Sequence, residues 1–208
     1  MSLQPTYLAI LFFLVASPCA QAASTTQLQV SGLITPDACT VTLSNDGLID
    51  HGKIPSGSLN PDEFHVLPTH TQALEILCSG PMLFALTGFD NRADSSLAPD
   101  FFYGLGKNPH APLERLGSVA LSYRDPLGDG QPLQAMASRD NGASWAIETN
   151  AYPKTLMGFA LPGGRLPLPL VQLNTTLRID TSINAAMHLT LDQEVPLDGS
   201  ISLDLRYL

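Results

Sequence analysis

Gln27-Leu28-Gln29-Val30-Ser31-Gly32-Leu33-Ile34 alternates along an extended chain: Leu28, Val30 and Ile34 fall on one face, with Gly32 between them on that same face. Gln27, Gln29, Ser31 and Leu33 fall on the other. The segment therefore reads as a strand with one apolar side to bury and one mostly polar side for water. A strand of this kind needs a groove, either in its own domain or in a neighbouring one. Which groove it fills decides between a closed domain and one that assembles with others.

Ahead of this stretch, Leu8 to Val15 is an apolar run of signal-peptide length, followed by Ser17-Pro18 and by Ala20-Gln21-Ala22, a small-x-small cleavage site. Residues 1–22 are expected to be a secretion signal cleaved after Ala22, although Met1 to Thr6 carry no Lys or Arg. No later stretch approaches the roughly 18 consecutive apolar residues of a membrane span, so the mature chain is expected to be soluble and exported. A length of 208 residues with 44% hydrophobic content suits one domain with a proper core. Cys19 leaves with the signal. Cys39 and Cys78 remain, and an even count in an oxidising compartment predicts a disulfide. The net charge of −9, spread without long runs, argues against nucleic acid or an anionic lipid surface as partner.

From Ala38 onward the chain consists of short alternating or β-branched segments separated by turn residues, which predicts an all-β domain. Ala38 to Leu43 is the first strand, closed by Asn45-Asp46-Gly47. Ile49 to Ile54, interrupted by Gly52, is expected to follow as a strand, and Pro55 to Pro61 as a loop. Ala73 to Cys78 puts Leu74, Ile76 and Cys78 on one face, so that Cys39 can reach Cys78 across or between sheets. Met82 to Phe89 is the next strand. Asp90 to Pro112 reads as a long loop, with Phe101, Phe102 and Tyr103 as its anchors to the core. Further candidates are Val119 to Tyr123 with a turn at Asp125 to Gly130, then Leu156 to Leu161, Leu166 to Leu173, Thr176 to Ile179 and Met187 to Leu191. The cleanest is the last: Ile201, Leu203, Leu205 and Tyr207 alternate with Ser202, Asp204 and Arg206. Many short strands with Gly and Pro punctuation make a sandwich or a barrel.

Ser138-Arg139-Asp140-Asn141-Gly142-Ala143-Ser144-Trp145 fits the Asp-box pattern Ser-x-Asp-x-Gly-x-x-Trp. Its physics is that of a hairpin turn: Asp140 accepts turn amides, Gly142 supplies a positive φ, and Trp145 packs beneath. A propeller glycosidase would need several such boxes, and this chain has one. Asp125 and Asp129 flank a turn that lacks the alternating ligands and terminal Glu of a calcium loop. The five histidines are scattered, and His65 and His70, with Pro68 between them, lack the spacing of a zinc helix. No nucleophile elbow or phosphate loop is present. The expectation is a non-catalytic protein without metal or cofactor.

The two ends and the cysteine framework resemble the subunits of chaperone-usher fimbriae of Gram-negative bacteria. Leu28-x-Val30-x-Gly32-x-Ile34 ahead of Cys39 looks like their donor strand, and Cys39 with Cys78 looks like their single disulfide. Ile49-Asp50-His51-Gly52-Lys53-Ile54 is similar to the short strand after the first cysteine strand. Asp198-Gly199-Ser200 leading into a strand with penultimate Tyr207 resembles their C-terminal signature. The mature chain as a whole looks most like the secreted fimbria-like proteins labelled beta-fimbrial major subunits. Where the subunits commonly carry a glycine ahead of the terminal strand, this chain has Val195, with Gly199 nearby.

The resemblance implies an immunoglobulin-like, pilin-type β-sandwich lacking its final strand, with residues 23–36 as a donor-strand segment and 37–208 as the sandwich. It implies passage through the periplasm to a fimbrium at the cell surface and a role in adhesion. Its partners would be a periplasmic chaperone, an outer-membrane usher, and other copies or related subunits. Leu28, Val30, Gly32 and Ile34 would be donated, and Ile201, Leu203, Leu205 and Tyr207 would form the acceptor edge that the chaperone engages first. Such a strand adds along a sheet edge, and burying Leu28, Val30 and Ile34 gains roughly 5 to 9 kcal/mol before ordering costs. The alternative is a monomeric secreted binding module, such as one for a glycan, in which Gln27 to Ile34 completes its own domain. An exported hydrolase is a third reading.

Overall fold

The computed structural model describes residues 27–32 and 38–208, and contains an N-terminal unit through Thr35 and a sandwich unit from Pro36. In the first unit residues 27–32 belong to no strand. Leu33, Ile34 and the predicted signal segment 1–22 lie outside the described residues.

The second unit is all-β. One sheet contains β1 (Cys39–Leu43), β2 (His65–Val66), β3 (His70–Met82), β5 (Tyr103–Gly104), β8 (Gly117–Gly128), β9 (Gln131–Pro132) and β13 (Leu170–Ile183). Its order is β1-β3-β13-β8-β5, with β2 on β13 and β9 on β8. The other contains β4 (Phe84–Asp90), β10 (Gln134–Ser138), β11 (Ala146–Ile147), β12 (Leu156–Ala160) and β14 (Ile201–Tyr207), in the order β11-β10-β12-β4-β14. A separate pair, β6 (Lys107–Asn108) and β7 (Ala111–Arg115), lies in the 90–116 excursion. The order β1-β3-β13-β8 facing β4-β14 is that of the A-B-E-D and C-F strands of an immunoglobulin-like sandwich. Among the described residues no strand pairs with the outer edge of β14, where a seventh would lie.

Alternation builds the core. On β3, Gln72, Leu74, Ile76 and Cys78 are buried while their neighbours are exposed, and on β13 the buried set includes Leu173, Leu177 and Ile179. All of these but Gln72 meet Phe84 and Leu86 of β4 and Met157 and Phe159 of β12 in one cluster. Tyr123 of β8 touches Phe159 of β12 edge-on, ring centroids 5.5 Å apart, which joins the two sheets. Tyr103 is fully buried, and its hydroxyl donates to the Ala151 carbonyl at 2.8 Å. Of the three expected anchors of 90–112 only Tyr103 is buried, joined in the core by Leu105, while Phe101 and Phe102 are exposed.

Several sequence expectations change. Residues 49–54 form no strand: Gly52 has φ +63° and donates its N–H to Asp50 Oδ1 at 2.8 Å, a local side-chain turn that competes with pairing. Leu166–Leu173 and Thr176–Ile179 are replaced by one strand, β13, because both its edges are paired, to β3 and β8. Met187–Leu191 forms no strand and begins within a 3-10 turn, Ala186–His188. Met82 ends β3 and does not begin β4. Asp125 is not a turn residue either: it lies at φ +48° where the β8–β13 register shifts, a bulge whose Arg124 carbonyl accepts the Thr175 hydroxyl at 2.8 Å. The turn proper is Asp129-Gly130, both at positive φ, between Gly128 and Gln131.

Candidate functional site

Among the described residues β1 and β14 are the unpaired edges of facing sheets, and a groove lies between them. Its walls are Leu43 of β1, Ile49, Leu121 and Leu177 from the core, and Ile201 and Leu203 of β14, enclosing about 250 Å³. The alternating register of β14 points Ile201, Leu203 and Leu205 inward, yet all three are only half-buried, as are Cys39, Val41 and Leu43 on β1. On the neighbouring paired strands the inward residues are fully buried. Apolar side chains that face a core and stay partly open are what a missing strand leaves behind.

The groove has a polar end. His51 Nε2 lies 3.1 Å from Thr181 Oγ1, and its ring meets His70 edge-on at 4.7 Å. Burial first, and then the neighbouring His70, hold the His51 imidazole below its ordinary pKa, while Asp50 pulls the other way. Gln72 is buried here, its amide donating to the Leu48 carbonyl at 3.1 Å and its oxygen accepting the Ser44 hydroxyl. Gly199 also lines the groove, and a Cβ there would press on Leu105 at 3.2 Å. Val195 packs against the core and does not line it. Arg92 forks onto Asp198, at 2.9 and 3.0 Å, and so fixes the segment that enters β14.

The disulfide joins Cys39 and Cys78, which are register partners on adjacent strands of one sheet. The expected bridge across or between sheets is thus an in-sheet one, at the edge that borders the groove. Of the donor-segment residues, Leu28 and Val30 are 88% and 89% exposed, Gly32 is exposed with open space around its Cα, and Ile34 lies outside the described residues.

Residues 28–109 match a family described as "Protein of unknown function (DUF1120)". That stretch runs from Leu28 through both disulfide cysteines and stops before β13 and β14. The chain is also similar to Protein GltF of Escherichia coli (strain K12). The identity is 24% over 226 aligned positions, covering 88% of this chain and 88% of the relative.

The Asp-box residues fold as a hairpin turn. Ser138 Oγ donates to Asp140 Oδ1 at 2.7 Å and accepts the Gly142 N–H at 2.8 Å; Asp140 also accepts the Ser144 N–H at 2.9 Å and the Ser144 hydroxyl. Gly142 lies at φ +91°, and Trp145 Nε1 donates to its carbonyl at 3.0 Å. The turn joins β10 to β11 with Ala137 opposite Ala146. Asp129 is likewise structural: Oδ1 accepts the Gln172 N–H at 2.8 Å. Among the described residues no group of three or more His, Cys, Asp or Glu is placed to hold a metal ion, and no helix is long and apolar enough to cross a membrane. What the sequence reading missed is the polar end of the groove and the Arg139 cluster described below. Both assemble residues far apart in the chain, which strand periodicity does not report.

Proposed function

We propose that the protein is a structural, non-catalytic subunit of a chaperone-usher-type fimbria that polymerises by donor-strand complementation and serves adhesion. The observation that carries the proposal is the groove between β1 and β14, apolar, lined by half-buried side chains, and bounded by a β14 edge with no partner among the described residues. The occupant is the 27–34 segment of a second copy or a related subunit, adding as a strand beside Ile201, Leu203, Leu205 and Tyr207. Leu28, Val30 and Ile34 enter the groove, and Gly32 allows close approach. A periplasmic chaperone fills the same edge first, and an outer-membrane usher exchanges it. The exposed, unpaired Leu28 and Val30 support this reading, because apolar side chains in strand alternation gain most by burial elsewhere.

The test is an unheated denaturing gel of exported protein, with and without residues 24–35, co-expressed with a matching chaperone and usher. Denaturant-resistant multimers that collapse on heating and vanish with the deletion are expected. A monomer band alone, with the shortened form misfolded, overturns the proposal in favour of a self-completed secreted module.

A further inference from the structure

On the edge of the second sheet opposite β14, the β10–β11 hairpin borders a second cavity of about 340 Å³, lined by Arg139, Ser144, Trp145, Ile147, Glu148 and Tyr152. Arg139 is exposed and is in none of the four ion pairs among the described residues. It is held by rings: its guanidinium carbon lies 4.9 Å from the Tyr152 ring centroid and 5.9 Å from that of Phe101, and the two rings meet edge-on at 5.7 Å. A planar cation steadied by two aromatic rings keeps its N–H fork for a ligand.

The rest of the lining is equally preset. The Asp140 turn holds the indole through Trp145 Nε1 on the Gly142 carbonyl. Glu148 is fixed by Asn150 N and Nδ2 on Oε1, at 2.8 and 2.9 Å, and by the Tyr152 hydroxyl on Oε2 at 3.3 Å. Oε1 is filled by its two donors, and Oε2, with one long hydrogen bond, keeps acceptor capacity.

We propose that this cavity binds a carboxylate-bearing sugar, of the uronic- or sialic-acid type. Arg139, seated on the Tyr152 ring, takes the carboxylate in a bidentate fork, the Trp145 indole covers the apolar side of the pyranose, and Glu148 Oε2 accepts a sugar hydroxyl. One guanidinium, with no second cation in the lining, matches a single negative charge better than a phosphate. The Trp145 indole favours a ring over a bare carboxylate. The site shares no lining residue with the groove, so it stands whether or not the chain polymerises.

Trp145 is the chain's one tryptophan, so its fluorescence reports this cavity directly. The full exported chain is titrated with glucuronate and with N-acetylneuraminate, using glucose and acetate as controls and ligand-observed NMR as a second readout. A saturable response to at least one acidic sugar is expected, with glucose and acetate at least tenfold weaker. Arg139→Gln should weaken it at least tenfold and Arg139→Lys less, with the unfolding temperature unchanged. Silence in both readouts, an equal response to glucose or acetate, or undiminished affinity in Arg139→Gln overturns the proposal.

Discussion

The Tyr207 hydroxyl oxygen accepts the backbone N–H of Cys39 at 2.9 Å across a sequence separation of 168 residues. Cys39 begins β1 and Tyr207 ends β14, so the two strands are clasped at these ends, while Leu43 and Ile201 at their opposite ends line the groove. Tyr207→Phe removes the clasp and keeps the ring. The bond is half exposed, so the loss should be about 1 kcal/mol or less in denaturant unfolding.

Val30 separates assembly from folding. Its exposed side chain makes Val30→Asp close to neutral for the isolated domain, within about 0.5 kcal/mol. The same change should abolish heat-labile multimers on an unheated gel, because a carboxylate cannot enter an apolar groove unpaired. Multimers that persist in this variant would exclude the 27–34 segment as the occupant.

Reduction of Cys39–Cys78 releases a loop spanning a sequence separation of 39 residues. The chain-entropy account gives about 4 kcal/mol of lost stability. Unfolding in urea with and without reductant measures it, and a Cys39→Ser/Cys78→Ser double variant should match the reduced protein.

Gly88 of β4 lies under Tyr103, and a Cβ there would overlap the buried phenol. Gly88→Ala should displace Tyr103 from the Ala151 carbonyl and cost about 2 kcal/mol or more, several degrees in Tm. Gly130→Ala, where a Cβ has open space but φ is +78°, should cost less and leave the core untouched.

The Asp-box turn is acid-sensitive in a defined direction. Hydrogen bonds from the Ser144 and Ser138 hydroxyls, and then from the Ser144 N–H, lower the Asp140 carboxyl to about 2. A carboxyl depressed on folding stabilises above its unfolded value, near 4, and that contribution is lost as pH falls through about 2. Hydrogen bonds likewise depress Asp94, to Lys107, and Glu114, to Thr190, so acid acts on them with the same sign. Trp145 fluorescence should stay constant from neutral pH to about 4 and change below about 3. Asp140→Asn should flatten that transition.

Local chemistry alone determined much of this protein. Period-2 alternation marks β14 and the buried face of β3 because successive side chains point to opposite sides whatever the partner strand is. The Asn45–Gly47 and Ser138–Trp145 turns were legible because their hydrogen bonds close within a few residues. Cys39 and Cys78 are the two cysteines beyond the expected signal segment, which leaves one pairing.

Tertiary structure decided what depends on partners distant in sequence. Alternation shows that a face is apolar and not which strand lies beside it, so the in-sheet placement of Cys39 against Cys78 and the continuity of β13 emerged only with the register. At Ile49–Ile54 a single Asp50–Gly52 hydrogen bond outweighs an apolar pattern that suits a strand. The β14 edge left unpaired among the described residues, the His51 end of the groove and the ring-held Arg139 exist only where separated segments converge, because burial and electrostatics depend on distance in space.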